Sequence, residues 1–174
     1  RGEYSFFSNR TVNGVRDILT LALVPGNAEA FMRVYSKFSL PVRRETAELA
    51  VCLYGAGKAD SLIAALESAA REQPDWLRDR LAELHDNFAA LKTDSARDAL
   101  DRIRYKMGYG GYVLKDSGDK ERMYLLSILA AREKNGESFL QRLRELESIS
   151  SENRPADSKL ILSTIHSSKG LEYD

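Results

Sequence analysis

The sequence predicts a mainly α fold that ends in one short β-strand and a turn. Apolar residues recur at the spacing of one helical face along most of the 174 residues. Turn-forming sequences such as Pro25-Gly26-Asn27 and Asn135-Gly136 separate these stretches. After the polar linker at 150–158, the pattern changes to the β-rich apolar run Lys-Leu-Ile-Leu-Ser-Thr-Ile.

Glycine and proline bound the first four predicted helices. The first covers residues 11–24, where Val12, Val15 and Ile18 share one face. The second begins near Ala28, the third runs from residue 43 to 55, and the fourth begins near Leu62 and ends before Pro74.

Capping side chains indicate where the next two helices begin. Asp75 is predicted to cap the fifth, and Thr93 or Asp94 the sixth, which continues to Met107. The Gly-Tyr-Gly-Gly sequence at 108–111 is predicted to break the sixth helix. Residues 119–136 and 137–150 carry the last two helical stretches.

Composition gives no overall argument for a nucleic-acid partner. Lys plus Arg and Asp plus Glu both number 26, so the net charge is zero and only local patches could bind an anion. The single cysteine excludes an intrachain disulfide and favours a reducing, cytoplasmic setting. No apolar run approaches the roughly 20 residues that span a bilayer, and no membrane partner is expected.

Two segments combine cations with aromatic residues. Residues 33–44 hold no acid and four cations, which include Lys37, Arg43 and Arg44. These cations could bind a phosphate backbone without base-specific contacts. The alternative is a solvated helix end with core aromatics. Residues 102–115 interleave cations with three tyrosines, for which helix packing is favoured over base stacking.

The residues after the predicted strand suit an anion. A serine there can cap a following helix, whose positive end would attract phosphate. Thr164, His166 and Lys169 could donate to phosphate oxygens, and Glu172 could accept hydrogen bonds from sugar hydroxyls. An ordinary strand–turn–helix remains the alternative. The chain has no phosphate loop of the Gly-x-x-x-x-Gly-Lys-Ser/Thr kind, and no metal site is predicted.

The string Thr-Ile-His-Ser-Ser-Lys-Gly-Leu-Glu-Tyr at 164–173 resembles motif V of the UvrD/PcrA/Rep superfamily 1 DNA helicases. That motif commonly reads Thr-hydrophobic-His-x-x-Lys-Gly-Leu-Glu-Phe/Tyr. Residues 2–35, with a Phe-Phe pair and a long helix, are similar to another family segment, and so are residues 107–129, which begin Met-Gly-Tyr-Gly-Gly-Tyr. The resemblance is most specific at the C-terminal motif and loose elsewhere.

The resemblance implies a three-part organisation. Residues 1–24 would leave a RecA-like 2A domain, residues 25–156 would form the helical 2B subdomain, and residues 157–174 would return into 2A with motif V. The lone strand would then belong to an incomplete RecA-like α/β domain, where its pairing partners lie. The chain is thus expected to be a fragment of a larger protein.

The implied parent is an ATP-dependent DNA helicase of 3′–5′ polarity. It would use ATP and Mg²⁺ to translocate on single-stranded DNA and unwind forked duplexes, with the remaining helicase domains as partners. Thr164 and His166 would lie near DNA phosphates, and Glu172 near the ATP ribose, with Lys169 and Gly170 shaping the turn. The fragment is expected to bind no cofactor and to be inactive, because the phosphate loop and the Mg²⁺-binding acidic motif are absent.

One departure from the family concerns duplex binding. Many members carry a Gly-Ile-Gly hairpin in 2B, where this chain has Lys-Phe-Ser-Leu-Pro-Val-Arg-Arg, so Arg43 and Arg44 would replace the backbone contact by charge. Two alternative functions remain. The chain could be a helical protein-interaction or regulatory module, or part of a RecB/AddA-type helicase–nuclease with a nuclease domain downstream.

Overall fold

The computed structural model describes residues 6–152, which are mainly helical, as predicted, and contain no β-strand. The predicted strand and turn near the C-terminus lie outside the described residues. Within 6–152 a short 3₁₀ turn, Phe6–Ser8, comes first, and a π-helical turn, Arg102–Lys106, extends the sixth helix. The α-helices there are α1 Arg10–Leu23, α2 Ala28–Val34, α3 Arg44–Gly55, α4 Leu62–Ala69, α5 Asp75–Leu91, α6 Ala96–Asp101, α7 Tyr109–Val113, α8 Ser117–Ala130 and α9 Gly136–Glu152.

Helix α1 lies at the centre of the core. Its predicted apolar face is confirmed, since Val12, Val15 and Ile18 are fully buried. The helix packs against α2, α5, α8 and α9. Each buried aliphatic side chain of this size contributes about 1.5–3 kcal/mol. Helix α1 therefore shares its hydrophobic core with the helices that follow it, and the proposed domain boundary at residue 24 stays a prediction.

Helices α3, α4 and α5 form the second part of the core. Ala47 and Ala50 on α3 are fully buried, and their small side chains allow α4 to approach closely. The amide of Leu62 donates to the Pro25 carbonyl over 2.9 Å, which ties the start of α4 to the α1–α2 turn. None of the described helices is long and apolar enough to cross a membrane.

Two predicted caps are wrong. Asp75 is the first residue of α5 and pairs with Arg78, while Pro74 occupies the cap position. Helix α6 is capped by Ser95, whose hydroxyl accepts a 3.2 Å hydrogen bond from the Asp98 amide. The predicted cap Asp94 instead accepts two hydrogen bonds from Arg102, at 2.6 and 3.2 Å. A charged partner with two donors outcompetes the local amide for that carboxylate.

The Gly-Tyr-Gly-Gly sequence is a sharp turn followed by a helix, where a longer break was expected. Gly108 alone has a positive φ, 78°, and α7 begins at the next residue. Gly110 lies within α7, where a Cβ would come 2.5 Å from the Arg104 carbonyl oxygen. The second glycine therefore allows close backbone packing against the π-helical turn.

Candidate nucleic-acid interface

The fold joins the two basic segments at one contact. The Ser39 hydroxyl donates to the Gly108 carbonyl over 3.0 Å, although the residues are 69 positions apart. A Cβ on Gly108 would lie 2.6 Å from the Phe38 carbonyl oxygen, so the two backbones approach too closely for a side chain. We call this contact the Ser39–Gly108 junction.

Buried aromatic packing supports the junction. Phe38 is 1% exposed and meets Phe88 edge to face, with ring centroids 5.6 Å apart. Ser39 takes a left-handed backbone conformation, φ 56°, which is uncommon for a residue with a side chain. Its hydrogen bond to Gly108 and the buried neighbour offset that conformational cost. The loop between α2 and α3 is thereby held in one shape.

Two of the four cations in the first segment are neutralised in the fold. Arg33 binds Asp17 through two hydrogen bonds of 2.8 and 2.9 Å and also pairs with Glu29. Arg44 pairs with Glu48 one turn along α3, at 2.8 Å. Acidic residues outside the segment, on α1, α2 and α3, therefore pair with its arginines.

Arg43 and Lys37 differ from these two paired arginines in their surroundings. Arg43 is exposed and forms no ion pair within residues 6–152. It precedes α3 with no side-chain cap, so its charge stands beside the free amide groups of a helix N-terminus. Lys37 is half-buried, and this burial lowers the pKa of its ammonium group. Arg43 is thus the cation of this segment that is both exposed and unpaired within residues 6–152.

The second basic segment divides between core and surface. Tyr109 is fully buried, which confirms helix packing for that residue. Tyr105 and Tyr112 are 66% and 41% exposed, so the prediction of packing is wrong for Tyr105. The Tyr109 hydroxyl lies 3.0 and 3.2 Å from the carbonyl oxygens of Arg10 and Thr11, and burial raises its pKa. Tyr109 therefore anchors α7 to the start of α1.

Asp119 completes a polar cluster that sequence reasoning missed. Its buried carboxylate accepts hydrogen bonds from Arg10 at 2.6 Å and Thr11 at 2.9 Å. Burial alone would raise the pKa of Asp119, but the bonds from Arg10 and Thr11 outweigh it and lower the pKa. No local signal indicates this cluster, because its members are over 100 residues apart.

The predicted motif residues Thr164, His166, Lys169, Gly170 and Glu172 lie outside the described residues. His85 lies in α5 and is half-buried, with Nδ1 3.1 Å from a Glu67 carboxylate oxygen. Within residues 6–152 no group of three or more His, Cys, Asp or Glu side chains could hold a metal ion.

Comparison of the chain with protein-family models, with curated proteins and with solved structures found no match.

Proposed function

We propose that this chain is part of an ATP-dependent DNA helicase of the UvrD/PcrA/Rep type, with 3′–5′ polarity. The observation that carries the proposal is the string at 164–173, in which a Thr, a His, a Lys-Gly-Leu-Glu run and an aromatic residue keep the spacing of motif V. In the parent protein, ATP hydrolysis drives movement along single-stranded DNA and separation of the duplex ahead. The lone cysteine is compatible with a cytoplasmic enzyme.

The motif would contact two ligands from one loop. Thr164 and His166 donate to phosphates of the single strand, and Glu172 accepts from the ATP ribose, with Lys169 and Gly170 forming the turn between them. A loop that contacts both ligands couples their binding free energies, so ATP turnover can change the affinity for DNA. The phosphate loop and the Mg²⁺ ligands would come from other parts of the parent.

The helical residues would guide the duplex in this proposal. Arg43, unpaired within residues 6–152 and standing at the N-terminus of α3, would attract the duplex backbone by charge. Arg44 and Lys37 would contribute less to DNA binding, because Arg44 forms an ion pair with Glu48 and Lys37 is half-buried. The fixed loop at the Ser39–Gly108 junction would hold this charge in one place.

DNA-stimulated ATP hydrolysis by the protein from the full reading frame tests the proposal. Glu172→Ala is expected to raise the KM for ATP, and His166→Ala the DNA concentration that gives half-maximal stimulation. Ile165→Val is the matched control, because the motif asks only for a hydrophobic residue at that position. The isolated 174-residue chain is expected to hydrolyse no ATP.

Two results would overturn the proposal. The first is a full-length protein whose ATP hydrolysis does not respond to single-stranded DNA. The second is a set of motif variants that all behave like the Ile165→Val control. Either result, together with a stable protein partner of the helical residues, would favour the protein-interaction module instead.

A further inference from the structure

A groove separates α8 from α6 and the π-helical turn. It is open to solvent and encloses about 470 Å³. Arginine, tyrosine and apolar side chains line it together with one carboxylate, in the set Arg97, Asp101, Arg104, Tyr105 and Ile128. The residues Arg97, Asp101 and Arg104 lie one helical turn apart in sequence, so a single face of this stretch points into the groove.

Both arginines of the groove keep unused hydrogen-bonding capacity. The Arg97 side chain is exposed and forms no ion pair or hydrogen bond within residues 6–152. Arg104 likewise makes no side-chain hydrogen bond in that part of the chain, and its Nε is buried without an acceptor. Arg102, two positions earlier, differs because Asp94 and Asn87 bind it. The groove therefore offers two guanidinium groups whose donors are not occupied by other residues within 6–152, and the Arg104 Nε is buried without an acceptor.

An exposed aromatic ring lies beside one of these arginines. The Arg104 guanidinium carbon is 4.7 Å from the centroid of the Tyr105 ring, which is a cation–π contact. Tyr105 is 66% exposed, so much of its ring remains available to a ligand. Across the groove Ile128 is 40% exposed and adds an apolar wall. Asp101 is the one acid in the lining, leaving a net positive charge.

We propose that this groove binds a single strand of nucleic acid, with a base stacked on Tyr105 and phosphates on Arg97 and Arg104. Sequence-tolerant strand binding requires a cationic path beside an aromatic platform, and the groove has both. A duplex is a poorer fit because its base faces are covered by neighbouring bases. An acidic peptide would use the arginines but has no need of the exposed ring. The inference depends on neither motif V nor ATP.

Fluorescence anisotropy of a labelled 15-nucleotide oligothymidylate with the whole 174-residue chain tests the inference. Titrations at several salt concentrations separate stacking from charge. Tyr105→Ala is expected to weaken binding about tenfold with an unchanged salt slope, since stacking is not electrostatic. Arg97→Gln and Arg104→Gln should each reduce the slope of log K against log salt by about 0.7. Arg104→Lys keeps the charge and should keep the slope.

Arg144→Gln is the matched control, because Arg144 is exposed and has no side-chain partner within residues 6–152. It should bind like the wild type, and circular dichroism should show equal helicity for every variant. The inference is overturned if the wild type does not bind the oligonucleotide, or if Tyr105→Ala binds as tightly as the wild type. It is also overturned if an oligoglutamate peptide competes as well as unlabelled oligothymidylate. A negative result in the oligothymidylate binding test does not affect the ATP hydrolysis test of the proposed function. A negative ATP hydrolysis test likewise does not affect the binding test.

Discussion

Replacing Gly14 by alanine is expected to destabilise the protein, because this position in α1 touches the buried ring of Tyr109. A Cβ on Gly14 would overlap the Tyr109 hydroxyl and lie 2.8 Å from the ring carbon Cε2. Tyr109 is fully buried and its hydroxyl is bonded to carbonyls at the start of α1, so the ring cannot move freely. The substitution should therefore push α7 away from α1.

The expected size of the effect follows from three contributions. Alanine in a helix interior gains about 1 kcal/mol over glycine in intrinsic propensity. Overpacking a tight core costs about 1–3 kcal/mol. Displacing the Tyr109 hydroxyl from its carbonyl acceptors costs about 1 kcal/mol more. The net expectation is a loss of about 2 kcal/mol in the free energy of unfolding.

Urea denaturation followed by helical circular dichroism measures this loss. Gly55→Ala is the matched control, because Gly55 also lies in a helix and a Cβ there would meet nothing within 4 Å. That variant should be as stable as the wild type or slightly more stable. If Gly14→Ala were as stable as Gly55→Ala, the packing described between α1 and Tyr109 would be refuted.

Three other predictions concern the junction, the buried carboxylate and the exposed arginine. Gly108→Ala places a Cβ at φ 78° and 2.6 Å from a backbone oxygen, so it should lower the free energy of unfolding by about 2–3 kcal/mol in urea denaturation. Gly111→Ala, the control, should lower it by less than about 1 kcal/mol. The pKa of Asp119 is lowered in the folded protein, so the unfolded chain binds this proton more tightly. The free energy of unfolding should therefore fall as the pH drops below the ordinary value of 3.8. Asp119→Asn should flatten that fall when stability is measured across acid pH. Arg43→Glu should weaken binding to forked DNA and reduce the salt slope by about 0.9, whereas Arg144→Glu should weaken it much less; equal effects would contradict a specific role for Arg43.

The helices were predictable because their signals are local. The apolar face of α1 and the turn at Pro25-Gly26 place the first helix within one residue of its observed ends. Caps were less predictable, since Asp94 is an equally good cap by residue type. Its actual partner, Arg102, lies eight residues further on, and only the folded chain shows that the guanidinium reaches it.

The residue types of the candidate interface were predictable from the sequence, but the pairing of its cations with acids was not. The segment 33–44 holds no acid, yet Asp17 comes from α1 to neutralise Arg33. The contact of Ser39 with Gly108 likewise depends on the packing of distant helices. Pairings over such separations have no local periodicity, so a single sequence cannot indicate them.

Strand separation by the protein from the full reading frame is the most direct test of the proposed helicase function. The substrate is a labelled forked duplex with a 3′ single-stranded tail, incubated with ATP and Mg²⁺. We predict displacement of the labelled strand that requires ATP and that, at an ATP concentration below the wild-type KM, is slower in Glu172→Ala but not in Ile165→Val. A full-length protein that binds the fork yet never separates the strands with ATP would contradict the assignment.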